Sequence, residues 1–232
     1  MPKILIVTTS HGKLGDTGQP TGLWLEELAA PYYTFADSGG ELTLASIKGA
    51  AVPIDPRSRE PAGGVPASVE RFLADPKAVA AAKATPAIGE INATDYDVIF
   101  LPGGHGTMWD LPGSGALARA VGSALDAGRV VAAVCHGPAG LVSARTENGH
   151  PAVEGRRVSC FTDSEEKAVG LAEVVPFLLE TRLRALGAQI EKAPDFQPFA
   201  VRDGNLITGQ NPASSERVAE LVLEALKEKD AM

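Results

Sequence analysis

The chain of 232 residues has two cysteines, Cys135 and Cys160. A pair so placed builds no disulfide framework and fits no metal-ligand spacing. Long apolar runs are also missing. The longest extends from Val130 to Cys135, far short of the ~18 residues of a membrane span. Near the start only Ile4–Val7 is continuously apolar, where a secretory core takes roughly 7–15 residues. These absences lead to the expectation of a soluble, cytoplasmic protein with no membrane partner. Positive charge is in deficit: 21 Lys+Arg stand against 29 Asp+Glu, a net charge of −8. That balance argues against the basic surface of a general nucleic-acid binder. No Walker Gly-Lys-Ser/Thr occurs, and Gly12, Gly15 and Gly18 follow G-x-x-G-x-x-G rather than the dinucleotide spacing G-x-G-x-x-G. His11, His105, His136 and Glu27 are scattered and form no H-E-x-x-H pattern, so no metal is implied.

Apolar residues, at 44%, suffice for a sizeable core. The 25 glycines and 17 prolines stay below the level of low-complexity chains, so disorder is not the main state. Short β-branched runs lie at Lys3–Thr9, Glu41–Ile47, Val98–Pro102, Arg129–Val134 and Arg157–Phe161. They are nearly continuously apolar, as buried parallel strands are. Helical stretches fall between and after them, at Gly22–Asp37, Ala116–Ala127, Glu173–Leu186 and Ser214–Lys229. This alternation predicts an α/β fold: a doubly wound, mostly parallel sheet with helices on both faces. One domain over 1–232 is expected, interrupted at about 49–95 by a Pro/Gly-rich loop and an Ala-rich helix around Pro66–Ala84, an insertion or cap. Five basic and six acidic residues nearly balance there, and no charged ligand is implied.

The chemistry concentrates at three strand ends. In Val130-Val131-Ala132-Ala133-Val134-Cys135-His136-Gly137-Pro138-Ala139, a buried strand stops at a cysteine with small residues two before and two after it. That is the spacing of a nucleophile elbow with Cys in place of Ser. A helix opening directly after it would stabilise a thiolate and lower its pKa. In Leu101-Pro102-Gly103-Gly104-His105-Gly106, glycines let the backbone approach a ligand closely. The amides of Gly104 and His136 are the candidate oxyanion donors, and His105 reads as a wall of the site rather than a base. Phe161-Thr162-Asp163-Ser164-Glu165-Glu166 offers three carboxylates to orient His136. On the first helix Glu26 and Glu27 are adjacent, and Glu27 matters only if it turns inward toward Cys135.

These motifs resemble the ThiJ/PfpI superfamily, and within it the heat-shock-protein-31-like glyoxalase III branch. Thr21-Gly22 ahead of Glu27 and Gly209-Gln210-Asn211-Pro212-Ala213-Ser214 before the last helix extend the resemblance over nearly the whole chain. It implies a flavodoxin-like three-layer sandwich, like that of class I glutamine amidotransferases. It also implies Cys135 as nucleophile, His136 as its adjacent histidine, Glu27 against the thiol, and Glu166 as the acidic triad member, with Glu165 or Asp163 open as alternatives. The implied activity is cofactor-independent conversion of methylglyoxal to lactate through a cysteine hemithioacetal, in a homodimer. A stress chaperone or protein deglycase, or a cysteine amidase or peptidase, is the alternative. A class I glutaminase would need a late histidine, and no histidine comes after His150.

Overall fold

The computed structural model describes residues 1–230. Its strands, in chain order, are β1 (Lys3–Thr8), β2 (Glu41–Ser46), β3 (Val98–Leu101), β4 (Val130–Val134), β5 (Arg157–Val158), β6 (Gln189–Ile190), β7 (Ala200–Asp203) and β8 (Leu206–Gly209). Its helices are α1 (Leu25–Asp37), α2 (Ala67–Ala74), α3 (Pro76–Lys83), α4 (Thr107–Asp110), α5 (Gly115–Asp126), α6 (Asp163–Ala168), α7 (Leu179–Ala185) and α8 (Ser215–Asp230). The central sheet runs β2-β1-β3-β4-β8-β7. All its pairings are parallel except the last, where β7 lies antiparallel on the edge.

Side-chain alternation along the strands splits the core into two layers. Ile4, Ile6, Val98, Phe100, Val130, Ala132 and Val134 face α1, α2, α3 and α8. Leu5, Val7, Ile99, Leu101, Val131 and Ala133 face α4, α5 and α7. Each wholly buried Leu, Ile or Phe contributes about 1.5–3 kcal/mol, and Phe35 adds an edge-to-face contact with Phe100 at 5.6 Å. The doubly wound, mostly parallel α/β sandwich read from the alternation is the observed fold. No helix among the described residues is long and apolar enough to cross a membrane.

Several expected elements differ. Arg157–Phe161 is not a central strand: only Arg157–Val158 pairs, with β6 in a separate two-stranded sheet. The place beside β4 belongs instead to β8, which leaves β7 through the two-residue loop Gly204-Asn205. The helix expected over Glu173–Leu186 begins only at Leu179, because a residue ahead of a proline, here Pro176, is pushed away from helical angles. The helix around Pro66–Ala84 is two helices, divided where Asp75 caps α3 and Pro76 begins it. Ahead of them, residues 50–55 lie against the body of the fold. Leu23 bridges Ile54 in parallel, and Ala50 pairs antiparallel with Thr85.

Candidate active site

In a parallel sheet, ligands gather beyond the carboxyl ends of the strands. Here β3 delivers the Gly-Gly-His turn and β4 delivers Cys135. Cys135 sits at φ 60°, a left-handed conformation that costs a non-glycine residue about 1–3 kcal/mol. Two backbone bonds hold it there: its N–H donates to the Gly209 carbonyl at 2.9 Å, and its carbonyl accepts from the Phe161 N–H at 2.8 Å. Gly137 must be small, since a Cβ there would lie 2.1 Å from the Leu101 carbonyl oxygen. The helix expected past the elbow is a short 3-10 turn, Gly137–Leu141, with Pro138 in its first turn.

The thiol lies between a carboxylate-backed histidine and a buried carboxyl group. His136 Nδ1 lies 3.2 Å from Cys135 Sγ, and His136 Nε2 lies 2.6 Å from Glu166 Oε2. The other Glu166 oxygen, Oε1, meets His105 Nε2 at 2.7 Å. Burial alone would raise Glu166, yet the adjacent His136 and the hydrogen bonds from both rings hold it far below the usual carboxylate range. An ionised carboxylate only accepts, so both Nε2 atoms must donate. In the neutral ring of His136 this leaves Nδ1 bare, facing the thiol. Burial, then the neighbouring His136, pulls His105 down to about 4, and it is neutral at pH 7.

From the other side comes Glu27, wholly buried in the first turn of α1. Its Oε2 accepts the Gly103 N–H at 2.6 Å, while Oε1 has no hydrogen-bond partner among the described residues. Burial lifts the carboxyl to about 8, opposed by the Cys135 thiol and the Gly103 N–H and reinforced by Glu26. A protonated Glu27 therefore carries its proton on Oε1, the oxygen that Gly103 leaves free. Cys135 corrects the expectation of a lowered thiol pKa. The side chain is 3% exposed, and burial together with Glu27, Glu165 and Glu166 pushes the thiol well above its ordinary value. Desolvation and three carboxyl groups outweigh the short 3-10 turn.

The three carboxylates after Phe161 have separate places. Thr162 and Glu165 form a capping box at the start of α6. Glu165 Oε1 also accepts from the Phe196 N–H and from the Gln210 and Asn211 side-chain amides, at 2.7, 3.1 and 3.0 Å. Asp163 turns outward to Thr181. Of the three, Glu166 is the one hydrogen-bonded to His136. Gly104 lies at φ 103°, and a Cβ there would meet the Gly22 carbonyl oxygen at 2.3 Å. Neither the Gly104 N–H nor the His136 N–H has an acceptor among the described residues.

Glu27, Gly104, His105, Cys135 and His136 line a cavity of about 190 Å³ with apolar walls that include Trp24, Phe161, Val169 and Phe196. Arg57 also lines it and was not a candidate from sequence. Its place depends on the pairing of residues 53–55 with 21–23, which no local pattern announces. One atom from each of His105, His136 and Glu166 lies within 4.8 Å of the others, a set that also suits a metal ion. Both histidine Nε2 atoms are protonated toward Glu166, and a metal would have to displace those protons.

The DJ-1/PfpI family model matches residues 22–225. The glutathione-independent glyoxalase HSP31 of Saccharomyces cerevisiae is 31% identical, over 97% of this chain and 98% of that protein. Among solved structures, the Rapid Encystment Protein 24 kDa of Francisella tularensis superposes with a TM-score of 0.93 at 37% identity, over 97% of this chain and 99% of that one. Glyoxalase III of Candida albicans superposes with a TM-score of 0.89 at 29% identity, over 97% of both chains. The chain belongs to the DJ-1/PfpI family.

Proposed function

We propose that this chain is a glutathione-independent glyoxalase, which converts methylglyoxal and related 2-oxoaldehydes to 2-hydroxycarboxylates. The observation that carries this reading is the placement of the Cys135 sulfur between two proton carriers, His136 Nδ1 at 3.2 Å and the raised carboxyl of Glu27. A 2-oxoaldehyde isomerises through a thiol adduct, and Cys135 supplies the thiol from within the protein. The cavity of about 190 Å³ suits a small dicarbonyl.

Sγ attacks the aldehyde carbon, and its proton passes through His136 Nδ1 to the aldehyde oxygen, giving a hemithioacetal. The free amides of Gly104 and His136 steady the oxygen while it is negative. His136 Nδ1 then takes the proton from the first carbon as Glu27 gives its own to the ketone oxygen, and an enediol forms. His136 returns its proton to the second carbon. The hydroxyl proton of the first carbon goes back to Glu27, leaving a thioester of Cys135. Water cleaves the thioester to the 2-hydroxycarboxylate and restores the thiol. The cycle consumes one water and takes no cofactor. Glu166 acts through His136, fixing its tautomer and stabilising its charged form; His105 holds the other oxygen of Glu166 and walls the cavity.

The whole chain acts as one domain in which the 49–95 segment caps the cavity through Arg57, and the protein works as a cytoplasmic homodimer. Lactate formation from methylglyoxal in glutathione-free buffer tests the reading. Wild-type protein should produce lactate and Cys135→Ala none. A wild-type protein inert toward methylglyoxal and other small 2-oxoaldehydes, yet able to suppress aggregation, would move the function to the chaperone class.

A further inference from the structure

Among the described residues that line the cavity, Arg57 is the one Lys or Arg side chain, across from Glu27, Cys135, two histidines and apolar walls. It is firmly held. Asp55 is wholly buried and accepts from Arg57 Nε at 2.9 Å, from Nη2 at 2.6 Å and from the Arg57 backbone N–H at 3.0 Å. Asp55 takes a further bond from Thr21 Oγ1 at 2.9 Å, and its own N–H donates to the Leu23 carbonyl at 2.9 Å. The arginine is thereby tied to the segment that leads into α1 and Glu27. Its fork is only partly spent. A guanidinium has five N–H bonds, and two meet Asp55. Both on Nη1 and the second on Nη2 have no acceptor among the described residues, on a side chain 46% exposed. The guanidinium is also close enough to act electrostatically on Glu166 and His105. A planar donor group locked by a buried carboxylate, with free N–H bonds at a cavity wall, is built to receive a second carboxylate.

We infer that Arg57 is a carboxylate-recognising subsite, and that the cavity takes 2-oxoaldehydes bearing a carboxylate at the end remote from the aldehyde. The assignment of the substrate class rests on the glyoxalase reading; the anion subsite itself does not. The reactive carbon lies at Cys135 Sγ, an apolar linker crosses between Trp24 and Phe161, and the charged end meets Nη1. The carboxylate of the product competes for the same fork.

Two measurements separate the claims. In the first, kcat/KM is determined for 4,5-dioxopentanoate and for methylglyoxal with wild type, Arg57→Gln and Arg57→Lys. The ratio of anionic to neutral substrate should fall about tenfold or more in Arg57→Gln, the size of one charge-assisted hydrogen bond. The loss should appear in KM, and Arg57→Lys should recover part of it. The second measurement needs no turnover: alkylation of Cys135 by iodoacetate and by iodoacetamide, read by peptide mass spectrometry. The iodoacetate-to-iodoacetamide rate ratio should drop by a similar factor in Arg57→Gln. Should Arg57→Gln fail to fold, the wild type serves alone, since propionate should slow iodoacetamide labelling and propionamide should not. Both ratios unchanged, or equal protection by propionate and propionamide, would overturn the subsite. A changed alkylation ratio without turnover of either aldehyde would retain the subsite and refute the glyoxalase reading.

Discussion

In Glu27→Gln a neutral amide of the same shape replaces a carboxyl whose pKa burial has lifted from 4.5 to about 8. Its carbonyl oxygen can still accept the Gly103 N–H, and its NH₂ can still point at the Cys135 sulfur. The variant loses the proton. An unfolded chain ionises this residue near its ordinary value, whereas the folded protein keeps it protonated until about pH 8. Between those limits the folded state binds more protons, so its stability falls as pH rises. A rise of about 3.5, at 1.36 kcal/mol each, means roughly 3 kcal/mol lost by pH 7 and about 5 kcal/mol above pH 8. Glutamine has no such loss. Urea unfolding should show the two proteins alike near pH 5, with the variant gaining over the wild type by several kcal/mol at pH 8. Over the same range turnover of methylglyoxal should be about 10²–10⁴-fold lower in the variant. The wild-type rate should decline above pH 8 as Glu27 loses its proton. Stability curves that stay parallel from pH 5 to pH 8, or a variant rate within a few-fold of wild type, would refute this reasoning.

Glu166→Gln puts an amide where two histidine N–H bonds need an ionised acceptor, and kcat should fall about 10²–10⁴-fold; Asp163→Asn, facing Thr181, should stay near wild type. Equal losses in the two variants would refute the distinction. Glu165→Ala removes the shared acceptor of the Phe196 N–H and of one N–H on each of the Gln210 and Asn211 amides, at about 1–3 kcal/mol for each of the two buried amide donors left unpaired. Thermal unfolding should show a clear fall in Tm, and an unchanged Tm would contradict the network. Cys160 is buried in the α5 and α7 layer and lines no part of the active-site cavity, so Cys160→Ser should keep near-normal rates. Iodoacetamide should label Cys135 first, as peptide mass spectrometry would show.

The elbow was legible because its demands are local. A strand end, a strained cysteine and a glycine two residues later all fall within a few positions. The Gly-Gly-His turn was legible from its glycines and Glu27 by resemblance, and their convergence on one thiol comes from β3 and β4 ending where α1 begins. Choosing among Asp163, Glu165 and Glu166 needed more, although one local signal was present. The Thr162-x-x-Glu165 capping box engages Glu165 with the helix start and frees its neighbour. The hairpin of β7 and β8 also had a sign, the tight Asp203-Gly204-Asn205 turn. Arg57 had none, since its position is set by pairing across some thirty residues. The thiol pKa was misjudged because burial and the carboxyl groups around it are tertiary facts.

The most direct test is to catch the substrate on the thiol. Glu27→Gln retains Sγ and His136 but cannot carry the proton to the enediol, so the hemithioacetal should accumulate. The variant is mixed with methylglyoxal and weighed intact by native mass spectrometry, which preserves the reversible hemithioacetal. The account predicts one methylglyoxal-derived adduct per chain, absent from the Cys135→Ser, Glu27→Gln double variant and retained in the Cys160→Ser, Glu27→Gln double variant. A Cys135 that stays free while another residue carries the adduct, or lactate formed at full rate by Cys135→Ser, would contradict it.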